Sequence, residues 1–275
     1  MRSLILGIVA ALPLTNPADA QQPRSVFLEE LTTIEVGEAI AGGYTTIILP
    51  TGGTEQNGPH LTIGKHKYIV NYASEGIARN LGNALVAPVV TYVPEGDVEP
   101  PSGHMRYPGT ITLPNEYFMK LIEFAARSFR VHGFTDIVFI ADSGGNLTGM
   151  ETVAEQLNME WEEETTRVHF ADDYYTNNGF LQWLMDQGES SESMGSHASV
   201  DTTSELLFVA PEHVRMDELE TASGPEWSDM TGDPTRANVD YGRNGLRLKI
   251  DAAVRQIRIL MGQGQNEGIG GLEPS

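Results

Sequence analysis

The side chains with the most chemistry to offer fall in four short stretches rich in helix and strand breakers. The first spans residues 49–66 (LPTGGTEQNGPHLTIGKH) and sets Glu55, Gln56, Asn57, His60, Lys65 and His66 among Gly52, Gly53, Gly58, Pro59 and Gly64. The second is Ser102-Gly103-His104, the third Asp142-Ser143-Gly144-Gly145-Asn146, the fourth Ser196-His197-Ala198-Ser199-Val200-Asp201. Together they offer Glu55, His60, His66, His104, Asp142, His197 and Asp201, including four of the chain's seven histidines. Carboxylates and imidazoles are the groups that move protons and hold divalent ions near neutral pH. Ser143 adds a hydroxyl at a tight turn after a strand and ahead of a helix, where a nucleophile could be served by His104 or His197.

These stretches need elements to place them. Residues 45–49 are β-branched and apolar and read as a buried strand leading straight into the first stretch. Residues 68–81 carry Val70, Ala73, Ile77 and Leu81 on one helical face, closed by Gly82. Residues 84–90 read as a second strand, with Pro88 placing it near an edge or an end. An irregular segment, 92–108, precedes a possible short strand at 109–113. A strong helix opens at Pro114-Asn115 with Phe118, Leu121, Ile122, Ala125 and Phe129 on one stripe. Residues 136–141 are a third buried strand. A helix follows with Leu147, Met150, Ala154, Leu157 and Trp161 inward, then a fourth strand at 168–171. Strand, loop and helix recur in that order, so the expected fold is α/β, a mostly parallel sheet with helices on both faces. Such a sheet gathers its strand-end loops on one edge, where an open α/β fold puts its chemistry. Residues 172–196 read as a lid or an oligomer-facing insertion, with Tyr174, Tyr175, Phe180 and Trp183 as candidate roof aromatics. Residues 204–210 form a short apolar segment. A closing amphipathic helix covers 242–260, with Leu246, Ile250, Val254 and Ile257 inward.

The chain has 275 residues, 40% of them hydrophobic, enough for one large α/β domain. Arg2, the apolar run 4–14 and the Ala18-Asp19-Ala20 site have the layout of a secretory signal peptide over residues 1–20. The expected organisation is that signal, a domain over 21–262 and a flexible tail over 263–275. A periplasmic or secreted location follows, with no membrane contact after cleavage. No cysteine is present, which removes thiol nucleophiles and four-cysteine zinc sites. A formal net charge of −21 argues against nucleic acid as a partner. Asp142-Ser143-Gly144-Gly145 matches a short trypsin-like string, but in a strand–turn–helix context foreign to that fold.

The four stretches, taken in order, resemble the creatininase family of amidohydrolases. Residues 52–61 are similar to its G-S-x-E-Q-H-G-P-H-L motif, and Ser102-Gly103-His104 with Tyr107-Pro108-Gly109-Thr110 to its S-x-x-H-x-x-F-P-G-T segment. Residues 141–146 fall where the family has N-G-H-G-G-N, His197-Ala198 with Thr203-Ser204 resembles H-A-G-x-x-E-T-S, and Gly232 to Ala237 with Gly242 resembles the closing G-x-P-x-x-A…G. The resemblance covers roughly residues 45–255. It implies a three-layer α/β/α fold and a divalent-metal amidohydrolase, commonly a homo-hexamer, acting on small or cyclic amides.

The family's metal-ligand positions are here Glu55, Asn57, His66 and Ser143, and the Glu of H-A-G-x-x-E is Thr202. A standard two-metal site is therefore not expected, since Asn and Ser are poor ligands for zinc. The expected replacement is one divalent ion, zinc or manganese, on Glu55, His66 and Asp142, with His60 or His197 as a fourth group and His197 or Asp201 moving the proton. The expected reaction is hydrolysis of a non-peptide C–N bond in a small molecule. A binding protein without activity and a metal-free hydrolase acting through Ser143 are the alternatives.

Overall fold

The computed structural model describes residues 22–220 and 228–263. The expected signal segment and all but the first residue of the expected tail lie outside the described residues.

Four strands make one sheet: β1 (Thr46–Thr51), β2 (Ala84–Val86), β3 (Asp136–Ala141) and β4 (Arg167–Phe170). Their order is β2-β1-β3-β4 and every pair is parallel, with Ile47 opposite both Leu85 and Ile137. β1 is buried along its whole length, as a central parallel strand covered on both faces must be. Alternation sends Ile48, Val86, Val138 and Ile140 into one core and Ile47, Leu49, Leu85, Ile137 and Phe139 into the other. β2 ends before Pro88, which has no N–H for a ladder. Pairing resumes at Val90, whose N–H donates to the Pro50 carbonyl at 3.0 Å. Residues 109–113 are not a strand; Ile111 and Thr112 make only single bridges, to Thr54 and Val93, between the breakers Pro108-Gly109 and Pro114.

Eight α-helices complete the described chain: α1 (Thr33–Ala41), α2 (Lys65–Leu81), α3 (Asn115–Val131), α4 (Leu147–Glu160), α5 (Phe180–Asp186), α6 (Ser191–Met194), α7 (Val200–Val209) and α8 (Val239–Leu260). One sheet face is covered by α1, α3 and α4 through Ala39, Phe118, Ile122, Met150 and Leu157. The other is covered by α2, α7 and α8 through Ile69, Ala73, Ile77, Leu206, Leu246 and Ile250. The architecture is therefore three-layer α/β/α, as expected.

Two departures from the expected boundaries decide the site. α2 starts at Lys65 rather than Tyr68, so Lys65 and His66 are first-turn helix residues and both are buried. The apolar run at 204–210 belongs to a longer helix, α7, whose first turn holds Asp201 and whose core-facing side holds Glu205. The insertion 172–196 folds into turns and the short helices α5 and α6 beside the cavity described next.

Candidate active site

The last pair of the β1–β3 ladder is Thr51 with Ala141, so the loops after these strands open on the same edge. The β1 loop delivers Glu55. Gly52 lets α2 come close, because a Cβ there would press on His66 Cβ at 3.0 Å. A Cβ on Gly53 would run into the carboxyl of Glu95. The loop is tied by Glu55 N–H to the Ile63 carbonyl at 3.1 Å and by Asn57 Nδ2 to the Glu55 carbonyl at 3.0 Å.

Below Glu55 lies a buried chain of charges. His66 donates from Nε2 to Glu55 Oε1 and from Nδ1 to Asp142 Oδ2, each at 2.8 Å. Two donated protons make the ring an imidazolium. Burial and the nearby Lys65 oppose that charge, but the two carboxylates outweigh them and raise the pKa of His66. Asp142 Oδ1 accepts from the Tyr174 hydroxyl at 2.8 Å and from Lys249 Nζ at 3.2 Å. Burial works to raise Asp142, but Lys249 and His66 prevail and hold it down at about 2. Lys249 Nζ also lies 3.1 Å from Glu205 Oε1. Burial lifts Glu205 to about 7, against the pull of that ammonium. Burial likewise opposes the charge on Lys249, but the neighbouring acidic groups keep it protonated, well above the usual lysine range.

Above Glu55 lie two imidazoles. His104 Nε2 is 3.2 Å from Glu55 Oε2, and His197 Nδ1 is 4.0 Å from Glu55 Oε1. The two rings stack with centroids 4.6 Å apart. His104 is set by a short 3-10 turn, Gly103–Arg106, whose His104 N–H donates to the Glu95 carbonyl at 3.0 Å. His197 is set by Thr231, whose hydroxyl accepts from its N–H at 3.1 Å and whose own N–H donates to the His197 carbonyl at 3.0 Å. The next residue, Ala198, has φ +50°, the only positive value at a non-glycine among the described residues. That conformation costs roughly 1 kcal/mol and marks a position held by its surroundings. His197 Nε2 donates to the Gln56 carbonyl at 2.9 Å, which leaves the Nδ1 lone pair facing Glu55. Burial, then the charge of Lys65, lowers His197 to about 4, so it is a neutral ligand at neutral pH. His104 Nδ1 and His197 Nε2 each lie 3.5 Å from an oxygen of Asp229, to which Gln56 Nε2 also donates.

Glu55, His104 and His197 place one ligand atom each within 4.8 Å of one another. A tetrahedral ion with bonds of ~2.1 Å separates its ligands by about 3.4 Å, so modest contraction would close this set. One carboxylate and two imidazoles, with a position left open, is a donor set that suits zinc or manganese.

The expected set Glu55, His66 and Asp142 does come together, but as a hydrogen-bonded row. Both His66 nitrogens face carboxylates, Glu55 on one side and Asp142 on the other. His60 is set apart: it is fully buried, with Nε2 2.9 Å from Thr203 Oγ1, and does not line the cavity. Asn57 is folded back into its own loop with Oδ1 buried and unpartnered. Ser143 lines the cavity but makes no hydrogen bond to an imidazole, so the serine–histidine pairing expected with His104 or His197 does not form. Asp201 also lines the cavity and accepts from Ser199 Oγ at 2.5 Å, without touching His197. Of the four candidate aromatics, Tyr175 and Phe180 line the cavity, Tyr174 is buried beside Asp142, and Trp183 packs in a small core with Phe180 and Leu184.

Sequence reasoning missed Glu95, Glu205, Asp229 and Lys249. Burial and the charge of Glu55, with which it shares a hydrogen bond, push Glu95 up to about 10, so it is a carboxylic acid at neutral pH. Lys249 had a signal: three residues after Leu246, it falls on the apolar stripe of α8, where a charge needs a buried partner. The cavity enclosed by these groups measures about 710 Å³, within the range of small-molecule sites.

Residues 29–257 match the family model described as creatinine amidohydrolase, of the creatininase family. Among curated relatives, the mycofactocin precursor peptide peptidase of Mycobacterium ulcerans (strain Agy99) is 24% identical over 239 residues, 78% of this chain and 85% of the relative. The creatinine amidohydrolase of Pseudomonas putida is 24% identical over 221 residues, 78% of this chain and 84% of the relative. A solved mutant creatininase superimposes with a TM-score of 0.68 at 21% identity, over 86% of this chain and 99% of its own. Other creatininase structures with the same fold are described as an Mn form and a Zn–Zn form.

Proposed function

The chain belongs to the creatininase family of hydrolases, and from that premise we propose that it hydrolyses the C–N bond of a small, non-peptide amide with one divalent ion held by Glu55, His104 and His197. The convergence of those three side chains over an open cavity is the observation that supports this most directly. Relatives are named for a peptide precursor and for creatinine, and a cavity of about 710 Å³ is of the size of small-molecule sites. When bound, zinc or manganese supplies Lewis-acid polarisation of the carbonyl and a water of lowered pKa.

The chain's own groups do the rest. His66 fixes Glu55 from below, so the carboxylate presents one orientation to the cavity. Gln56 fixes the tautomer of His197 through its backbone carbonyl. Glu95 lines the same cavity beside Glu55, where its carboxyl group could pass a proton to the departing nitrogen. Asp201 and Asp229 line the outer cavity and give polar contacts for the amide's N–H groups.

The test is reconstitution with Mn²⁺ or Zn²⁺ and assay against a panel of small linear and cyclic amides, creatinine among them. Glu55→Gln is expected to lower turnover by ~100-fold or more, and His104→Ala and His197→Ala to lose both metal and activity. Full turnover in chelator-stripped protein, or in Glu55→Gln, would sink this reading. Export and homo-oligomeric assembly belong to the same proposal. N-terminal sequencing of mature protein that starts before residue 21, or a monomer by light scattering, would remove them.

A further inference from the structure

Asp142 and Glu205 are carboxylates 4% and 1% exposed, and between them stands the ammonium group of Lys249. Nζ is 3.2 Å from Asp142 Oδ1 and within 3.1 and 3.2 Å of the two Glu205 oxygens. It also sits 4.7 Å from the Tyr174 ring centroid, against the electron-rich face. Carboxyl groups removed from water are stabilised by a cation held among them, and α8 supplies one covalently. Nothing in the proposed reaction uses Lys249, which makes no contact with Glu55, His104 or His197. Yet it lines the same cavity.

We propose that the Lys249 ammonium occupies a cation site formed by Asp142 and Glu205 and closes it to divalent metal, so that this protein carries a built-in charge where a second ion would otherwise bind. This rests on the single-ion reading only for the total count; the difference that Lys249 makes is independent of it. Oxygen donors from two carboxylates beside a tyrosine suit a hard divalent ion such as manganese. An ammonium in the same gap excludes that ion twice over, by volume and by like charge.

The experiment is elemental analysis of purified protein equilibrated with excess MnCl₂ and desalted. Wild type is expected to hold about one equivalent, and Lys249→Ala one equivalent more than wild type under the same conditions. Lys249→Arg, which keeps the charge, is expected to match wild type, and Lys249→Ala with Glu205→Gln to lose the gain. If Lys249→Ala folds only when manganese is present, recovery of its circular dichroism with metal counts as the gain. If it fails to fold either way, Lys249→Met, which keeps the aliphatic stem, carries the same comparison. No gain in the charge-removed variant, or two equivalents in wild type, overturns the proposal. Zero equivalents in wild type with one in Lys249→Ala overturns the single-ion reading instead and leaves this one standing.

Discussion

His60 lies outside the cavity but limits the fold in acid. Burial, then the charge of Lys65, lowers its pKa to about 4, so the folded protein refuses a proton that the unfolded chain accepts. Because the folded value lies below the unfolded one of ~6.5, stability falls as pH drops through ~6.5, by ~1.4 kcal/mol per unit, and levels off below about 4. His197 is lowered in the same direction and adds its own share. His60→Gln, which can keep a bond to Thr203, is expected to remove one proton's worth of that slope when urea midpoints at pH 7 and pH 5 are compared. An unchanged slope would rule out His60 as a source. At this scale the sequence is half informative. Glu55, His104 and His197 stand out as residue types in breaker-rich loops, but their grouping depends on which side of Glu55 each imidazole reaches. His66 starts a helix below that carboxylate, and spacing alone does not show a first turn that opens at Lys65. Lys249 is the opposite case, a charge on an apolar stripe that periodicity displays and that only the buried partners Asp142 and Glu205 explain.

The element that positions this lower row is α8, and its approach to α7 depends on Gly242. A Cβ there would strike the Ser204 carbonyl, which is backbone and cannot swing aside. Gly242→Ala is therefore expected to destabilise the fold by about 1–3 kcal/mol, read as a lowered urea midpoint. Lys249 lies two turns further along α8, so the same substitution should weaken the Lys249 contacts as the helix tilts away. A variant as stable as wild type would mean that the helices have slack the packing does not show. The strands are the most readable elements. β1 is a continuous β-branched or apolar run, as is β3 after Asp136, which buried parallel strands require, and their expected positions hold to within two residues. Boundaries fail where a tertiary contact outvotes local pattern. β2 stops at Val86 because Pro88 cannot donate, and α7 extends back to Val200 through Asp201, Thr202 and Thr203, a polar turn that no apolar period announces.

At the scale of the whole molecule, one sheet separates two cores of unlike duty. His66, Glu205 and Lys249 come from α2, α7 and α8, the helices of one face, while the core under α1, α3 and α4 is built of apolar side chains. A net charge of −21 has no bearing on this division; it concerns what the surface repels, not how the layers are shared. The silent core contains Trp161, 1% exposed, with the Arg130 guanidinium 4.8 Å from its ring centroid. It is a natural fluorophore on the layer that does no chemistry. With Trp183 and Trp227 replaced by Phe, its emission would follow that layer alone during denaturation. Manganese bound at the sheet's strand-end edge should raise the emission midpoint by the full binding linkage, because both cores share the same four strands. An unmoved midpoint would instead reveal two separately melting halves, joined by a sheet that transmits shape without transmitting stability.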